Sequence, residues 1–152
     1  MGAVISSEPS DELDIGRQTK AIYRQGNSVI QQFKSCSDLV RLQLFRSYCS
    51  NLYGSHLWAN YNPKILDKLR VAYNNIFRSL MKIGCRDSIT ASFLLCGVNS
   101  FPVLYRKLIY SFYQRLLKSQ NLLIKTIIYS VYFVYKSALY RQWIKFLHVG
   151  SR

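Results

Sequence analysis

Apolar residues recur every three or four positions along most of the chain, the spacing of one face of an α-helix. The first such run places Ile15, Ile22 and Phe33 on one side and basic residues on the other. Gly26 lies in the middle of this run, where it costs about 1 kcal/mol of helix propensity. We therefore predict that Gly26 packs closely against a neighbouring helix.

The same periodicity predicts a small all-α bundle of about six helices. Residues 126–135 break the period with β-branched and aromatic side chains, so the pattern does not decide between helix and strand there. We expect that segment to be buried. Five further helices are predicted after the first. They extend from beyond Ser37 to Gly54, from Pro63 to Gly84, from Ile89 to Cys96, from Pro102 to about Asn121, and through Leu139, Trp143 and Phe146.

The charge of the chain is strongly unbalanced, with 21 Lys and Arg against 7 Asp and Glu and a net charge of +14. Four of the acids lie in the first fourteen residues, which contain no Lys or Arg, and no acid follows Asp87. The positive side chains of such a protein repel one another unless a polyanion lies close by. Nucleic acid and an anionic membrane surface are therefore the expected partner classes, and a basic protein without a special partner is the plain alternative.

Basic residues occupy the predicted helix faces that lie opposite the apolar stripes. On the first helix Arg17, Lys20 and Arg24 are spaced by three and four, so their heads line up along roughly 10 Å, a few phosphate spacings of a duplex. Tyrosines could stack on bases, although we predict that most of the 12 Tyr and 8 Phe belong to the core. The candidate nucleic-acid-binding residues are Arg17, Lys20, Arg24, Lys34, Lys64, Lys68, Arg78, Lys82, Lys107 and Lys118.

Enzymatic and metal chemistry have little support in the sequence. Cys49 and His56 are seven residues apart, but Gly54 interrupts the helix that would bring them together, so we interpret Cys49 as a core residue and His56 as a loop residue. The four cysteines have no CxxC spacing, which argues against a zinc site. The three acids beyond residue 14 form no DD or DxD pattern for two-metal catalysis. We expect no catalytic residues, metal or cofactor.

Membrane insertion is not expected either. The apolar run TIIYSVYFVY (126–135) has ten residues between lysines, against roughly twenty that a bilayer requires. Gly2 and Ser6 match a myristoylation pattern, but acids rather than bases follow it, so a second anchoring signal is missing. The free cysteines are typical of a reducing compartment, and we expect an intracellular protein of the nucleus or cytoplasm.

Three motifs together resemble one protein family. They read DI.RQ...Y..GN..I..F..C, LF..YC..LY...LW and VAYNN.FR, and the similarity continues to the closing SALYRQWIKFL. This combination resembles the region that follows the polymerase palm in reverse transcriptases of non-LTR (LINE-type) retrotransposons, and it spans nearly the whole chain. The stretch YCSNLYGSHLW (48–58) looks like a signature of that family at a helix end.

The resemblance implies a thumb and post-thumb region without the fingers and the palm, whose aspartate pair binds the metal ions. Residues 1–9 would be a remnant of the strand after the palm, 10–60 thumb-like helices and 61–152 the post-thumb helices. The implied partner is RNA or an RNA–DNA template–primer duplex, without polymerase activity. The alternatives are a helical module or adopted regulator that binds proteins, including a palm fragment in trans, and a basic membrane-surface protein.

Overall fold

The computed structural model describes residues 10–147, which form eight α-helices and no strand. The all-α class is therefore confirmed, whereas the strand predicted within residues 1–9 lies outside the described residues. The helices are α1 Glu12–Gln32, α2 Asp38–Leu44, α3 Pro63–Met81, α4 Ile89–Leu95, α5 Phe101–Lys118, α6 Leu122–Ile128, α7 Val131–Lys136 and α8 Ala138–Leu147.

The two helices beyond the six predicted ones, α6 and α7, come from the segment whose type the pattern left open. Ser130 separates them, because its hydroxyl accepts a hydrogen bond from the Phe133 N–H at 3.2 Å and caps α7. No strand among residues 10–147 offers a pairing edge, so the β propensity of this segment has no sheet to join. The prediction that 126–135 is buried is wrong, since Ile128 alone of these ten side chains is buried and most are exposed.

The second predicted helix changes its hydrogen-bonding pattern before it ends. α2 continues into a π-helical turn at Phe45–Cys49, and a 3₁₀ turn follows at Ser55–Leu57. The helical conformation ends at Cys49, before the predicted stop at Gly54, which instead adopts a left-handed conformation with φ of 79°. The inward residues nevertheless keep the predicted helical spacing through this turn, since Phe45, Cys49 and Leu52 are all buried.

Helices α1 and α3 run parallel and pack together along their length. At their beginnings the Asp11 N–H donates to the Asn60 carbonyl at 2.9 Å. Further along, Gly26 lies against the side chain of Ile76, with no room for a Cβ between them. The predicted close approach at Gly26 is therefore confirmed.

An aromatic core joins this helix pair to the rest of the fold. Tyr73 and Phe77 of α3 contact Phe93 of α4, and Tyr73 also contacts Phe101 of α5. Trp143 of α8 is buried, and its indole N–H donates to the His56 carbonyl at 2.9 Å. The buried residues of 10–60 and 61–147 form one cluster.

Candidate nucleic-acid interface

The outer face of α1 carries two exposed basic side chains, Lys20 and Arg24, one helical turn apart. They lie on this face because Ile15 and Ile22 on the opposite side are buried against the core. Neither cation is needed to hold the helix in place. Their ammonium and guanidinium groups are therefore free to contact phosphates along about 6 Å of helix axis.

Arg17, the third residue of the predicted row, has a different environment. Its guanidinium forms an ion pair of 2.5 Å with the buried carboxylate of Asp14. The second oxygen of Asp14 accepts a hydrogen bond from the indole N–H of buried Trp58 at 2.8 Å. Because a buried carboxylate that loses its cation is costly, Arg17 supports the Asp14 carboxylate that ties α1 to Trp58 of the 50–60 loop.

A cleft lies beside this row, between α1 and the chain around the π turn. Its volume is about 510 Å³. The side-chain amide of Gln18 donates to the Asn51 carbonyl at 3.0 Å and joins the two walls. The lining residues are Arg17, Gln18, Ala21, Gln25, Ser47, Tyr48, Asn51 and Tyr53.

Two tyrosines make this cleft suitable for stacking. Tyr48 and Tyr53 are 52% and 57% exposed, whereas their neighbours Cys49 and Leu52 are fully buried. Seven of the twelve tyrosines are exposed in this way. The prediction that most of the 12 Tyr and 8 Phe belong to the core is nevertheless confirmed, since 12 of these 20 residues lie in the core cluster or pack against it. The helical spacing of Phe45, Cys49 and Leu52 predicted Cys49 as the inward residue of this stretch, and the structure confirms it.

A second basic cluster forms where α1 and α3 end. Lys34 and Lys82, 48 positions apart in sequence, line one pocket of about 220 Å³ together with Arg41. Lys82 ends α3 in a left-handed conformation with φ of 54°, which is strained for a residue with a side chain. Both lysines also lie near helix C-termini, where a positive charge is favoured.

Arg41 was not among the predicted site residues, and it mainly serves the fold. Its guanidinium donates to the carbonyls of Cys36 at 3.0 Å and Leu80 at 3.2 Å, and it pairs with Asp38. It thereby ties α2 to the end of α3. In the sequence, only the i,i+3 spacing of Asp38 and Arg41 indicated this structural role of Arg41.

The remaining candidates are spread over several faces of the molecule. Arg78 is half-buried and donates to the carbonyls of Gly84 at 2.5 Å and Asp87 at 2.8 Å, so its guanidinium stabilises the loop after α3. The other four are exposed side chains, with Lys64 and Lys68 on α3 and Lys107 and Lys118 on α5. The structure therefore groups Lys20 with Arg24 and Lys34 with Lys82.

Cys49 and His56 lie in separate environments. Burial raises the pKa of the Cys49 thiol to about 11, so the reactive thiolate is disfavoured at neutral pH. The His56 ring contacts the Phe112 ring of α5 in a tilted arrangement, with ring centroids 4.0 Å apart. Burial and then the nearby Arg115 lower the pKa of this imidazole. Neither environment is that of an activated nucleophile and its base.

The acidic side chains of residues 10–147 do not converge. Asp11 accepts from the backbone N–H groups of Ala59 and Asn60, and Asp67 pairs with Arg70 on the same helix. Within this part of the chain, no three His, Cys, Asp or Glu residues come together as a metal site would require. The same residues include no helix that is both long and apolar enough to cross a bilayer.

Comparison with known proteins yields no match to any family model, curated protein or solved structure. The resemblance to retrotransposon reverse transcriptases therefore stays a prediction based on the sequence motifs. The functional argument depends on the charges, exposures and contacts described above.

Proposed function

We propose that this chain binds nucleic acid, and that it corresponds to the thumb and post-thumb region of a non-LTR retrotransposon reverse transcriptase without catalysis of its own. The observation that carries the proposal is the position of the exposed Lys20 and Arg24 on α1, beside the cleft that contains Tyr48 and Tyr53. Cations next to stacking surfaces are the usual composition of a nucleic-acid groove.

The charge distribution supports the same partner. The described acids near the cleft are occupied, since Asp14 binds Arg17 and Trp58, and Asp11 caps the 59–60 backbone. Arg17 is therefore neutralised by Asp14, whereas no described carboxylate forms an ion pair with Lys20 or Arg24. The net charge of +14 also favours a polyanion. A template–primer duplex would place its phosphates along α1 and unpaired bases at the tyrosines.

The proposal is tested by fluorescence anisotropy with labelled RNA–DNA duplex over a range of salt concentrations. The variant is Lys20→Gln/Arg24→Gln, which leaves Arg17 and its pair with Asp14 intact. Phosphate contacts release counterions, so the slope of log affinity against log salt should decrease by about one unit per lost contact, or about two in all. The loss should be similar for all sequences, and duplexes should bind better than single strands.

The matched control is Arg141→Gln/Lys145→Gln on α8, which also removes one exposed Arg and one exposed Lys. It lowers the net charge by the same two units at a different place on the surface. We expect its salt slope to stay close to that of the wild type. Equal slopes and affinities for the two double variants would show that α1 makes no specific phosphate contacts and would refute the proposal.

A further inference from the structure

The outward faces of α6 and α7 are almost entirely apolar. At 100° per residue, Leu122, Leu123 and Ile127 share one exposed sector of α6 with Thr126, and Val131, Tyr132 and Tyr135 share one of α7 with Lys136. With Tyr129 between the helices, the seven large apolar side chains are each between 57% and 78% exposed. So dense a run of exposed apolar residues is unusual for a free surface and marks an interaction site.

This patch, defined as Leu122–Tyr135, does not serve the fold through its outer side chains. The inner faces of the two helices hold them in place, with Ile128 buried and Phe133 in edge contact with Trp143 at a centroid separation of 5.9 Å. The outer residues can therefore be changed without touching the core. The packing of the inner residues does not explain why the outer apolar side chains are exposed to solvent.

Lysines lie at the borders of the patch. Lys118 ends α5 just before it and Lys136 ends α7, both exposed, while Lys125 is half-buried beside the α6 face. No acidic residue occurs after Asp87, so no carboxylate of this segment opposes an anionic partner. Apolar faces with tyrosines, bordered by lysines, are characteristic of helices that lie in a membrane interface.

We propose that α6 and α7 dock on an anionic lipid surface, with Leu122, Leu123 and Tyr132 among the inserted side chains and the lysines at the headgroups. A second copy fits less well, because each copy brings lysines and no acid to the patch and carries a net charge of +14. A nucleic-acid duplex would leave the leucines without apolar partners. The docking is peripheral, involves other residues than Lys20 and Arg24, and does not depend on nucleic-acid binding.

The test is flotation of the full chain with phosphatidylcholine vesicles that contain or lack phosphatidylserine. Leu122→Ser/Leu123→Ser should lower partitioning to the anionic vesicles about tenfold or more, because two buried leucines are lost. The matched control, Leu94→Ser/Leu95→Ser, replaces another adjacent and exposed pair on α4 and should float like the wild type. Lys136→Gln should lower partitioning about fivefold on anionic vesicles only.

Two further variants separate the outcomes. Tyr132→Ser/Tyr135→Ser should lose flotation as the α6 variant does, whereas Lys20→Gln/Arg24→Gln should keep it even if RNA binding is lost. Absence of flotation of the wild type, or equal flotation of the α6 variant and its α4 control, would overturn the proposal. A dimer that Leu122→Ser/Leu123→Ser abolishes, in a chain that does not float, would assign the patch to a second copy and overturn it as well.

Discussion

At the scale of single residues, packing decides the chemistry that a side chain can perform. Cys49 belongs to the core cluster with Phe45 and Leu52, whereas Cys85 lies exposed in the loop after α3. Burial in apolar surroundings disfavours the thiolate and raises the Cys49 pKa from 9.0 to about 11. The same residue type therefore has two reactivities within one chain.

We predict that iodoacetamide at pH 8 alkylates Cys85 rapidly and Cys49 only when the chain unfolds. Because the folded pKa of Cys49 is raised, its contribution to stability is complete below about pH 9 and is lost as the pH rises through about 11. Peptide mass mapping over time, with and without denaturant, measures both rates. Alkylation of Cys49 at the rate of Cys85 in native buffer would contradict the buried position.

At the scale of elements, the approach of α1 to α3 depends on one missing side chain. A Cβ on Gly26 would come within 2.7 Å of the Ile76 Cδ1 atom. A Cβ on Gly16 of the same helix would meet nothing within 4 Å. The two glycines are alike in helix propensity and differ only in their tertiary surroundings.

Gly26→Ala should destabilise the protein by about 1 kcal/mol, because an overpacking cost of about 1–3 kcal/mol exceeds the gain of about 1 kcal/mol in helix propensity. Gly16→Ala should keep that gain and stabilise by up to about 1 kcal/mol. Urea unfolding followed by circular dichroism gives both values. Equal free energies of unfolding for the two variants would show that α1 and α3 are not in close contact at Gly26.

At the scale of the whole molecule, the positive charge opposes compactness. The net charge of +14 is the excess that remains after the 7 acids, including those paired as Asp14 is with Arg17 and Asp67 with Arg70, are set against the 21 bases. Salt shortens the range of the remaining repulsion from about 30 Å at 0.01 M to about 8 Å at 0.15 M. Stability should therefore respond to ionic strength.

We predict that the melting temperature rises between these two salt concentrations. If screening raises the free energy of unfolding by about 1 kcal/mol, the melting temperature should rise by about 3 °C for a domain of this size. Arg141→Gln/Lys145→Gln, with two fewer positive charges, should show a smaller rise. Differential scanning fluorimetry measures the effect, and a melting temperature that falls with added salt would contradict the charge argument.

We also predict that the purified chain does not extend a primer with Mg²⁺ or Mn²⁺. Two-metal phosphoryl transfer needs carboxylates that hold two ions about 4 Å apart. The acids of residues 10–147 are instead placed singly, in caps and in pairs with arginines. Incorporation of labelled nucleotides by a homogeneous sample would refute the prediction and the assignment of this chain to a non-catalytic region.

The sequence by itself determined the all-α class and most of the helices, because each apolar stripe repeats with the period of a helix. It also determined the contact at Gly26, since glycine in the middle of a helix has a cost that close packing can explain. Lys20 and Arg24 were predictable as exposed cations for the same reason. These are local properties, which depend on neighbours within two turns of one helix.

Only the tertiary structure decided which cations are engaged and which tyrosines are exposed. Arg17 and Lys20 belong to the same predicted row, yet Arg17 binds the buried Asp14, which Trp58 holds from another part of the chain. Tyr48 and Tyr53 are exposed, whereas Tyr73 and Tyr105 are enclosed in the aromatic core. The helical state of 126–135 and the exposure of its apolar face likewise depended on the partners that the fold supplied. Burial results from contacts between distant segments, whereas periodicity reports only on neighbours along the chain.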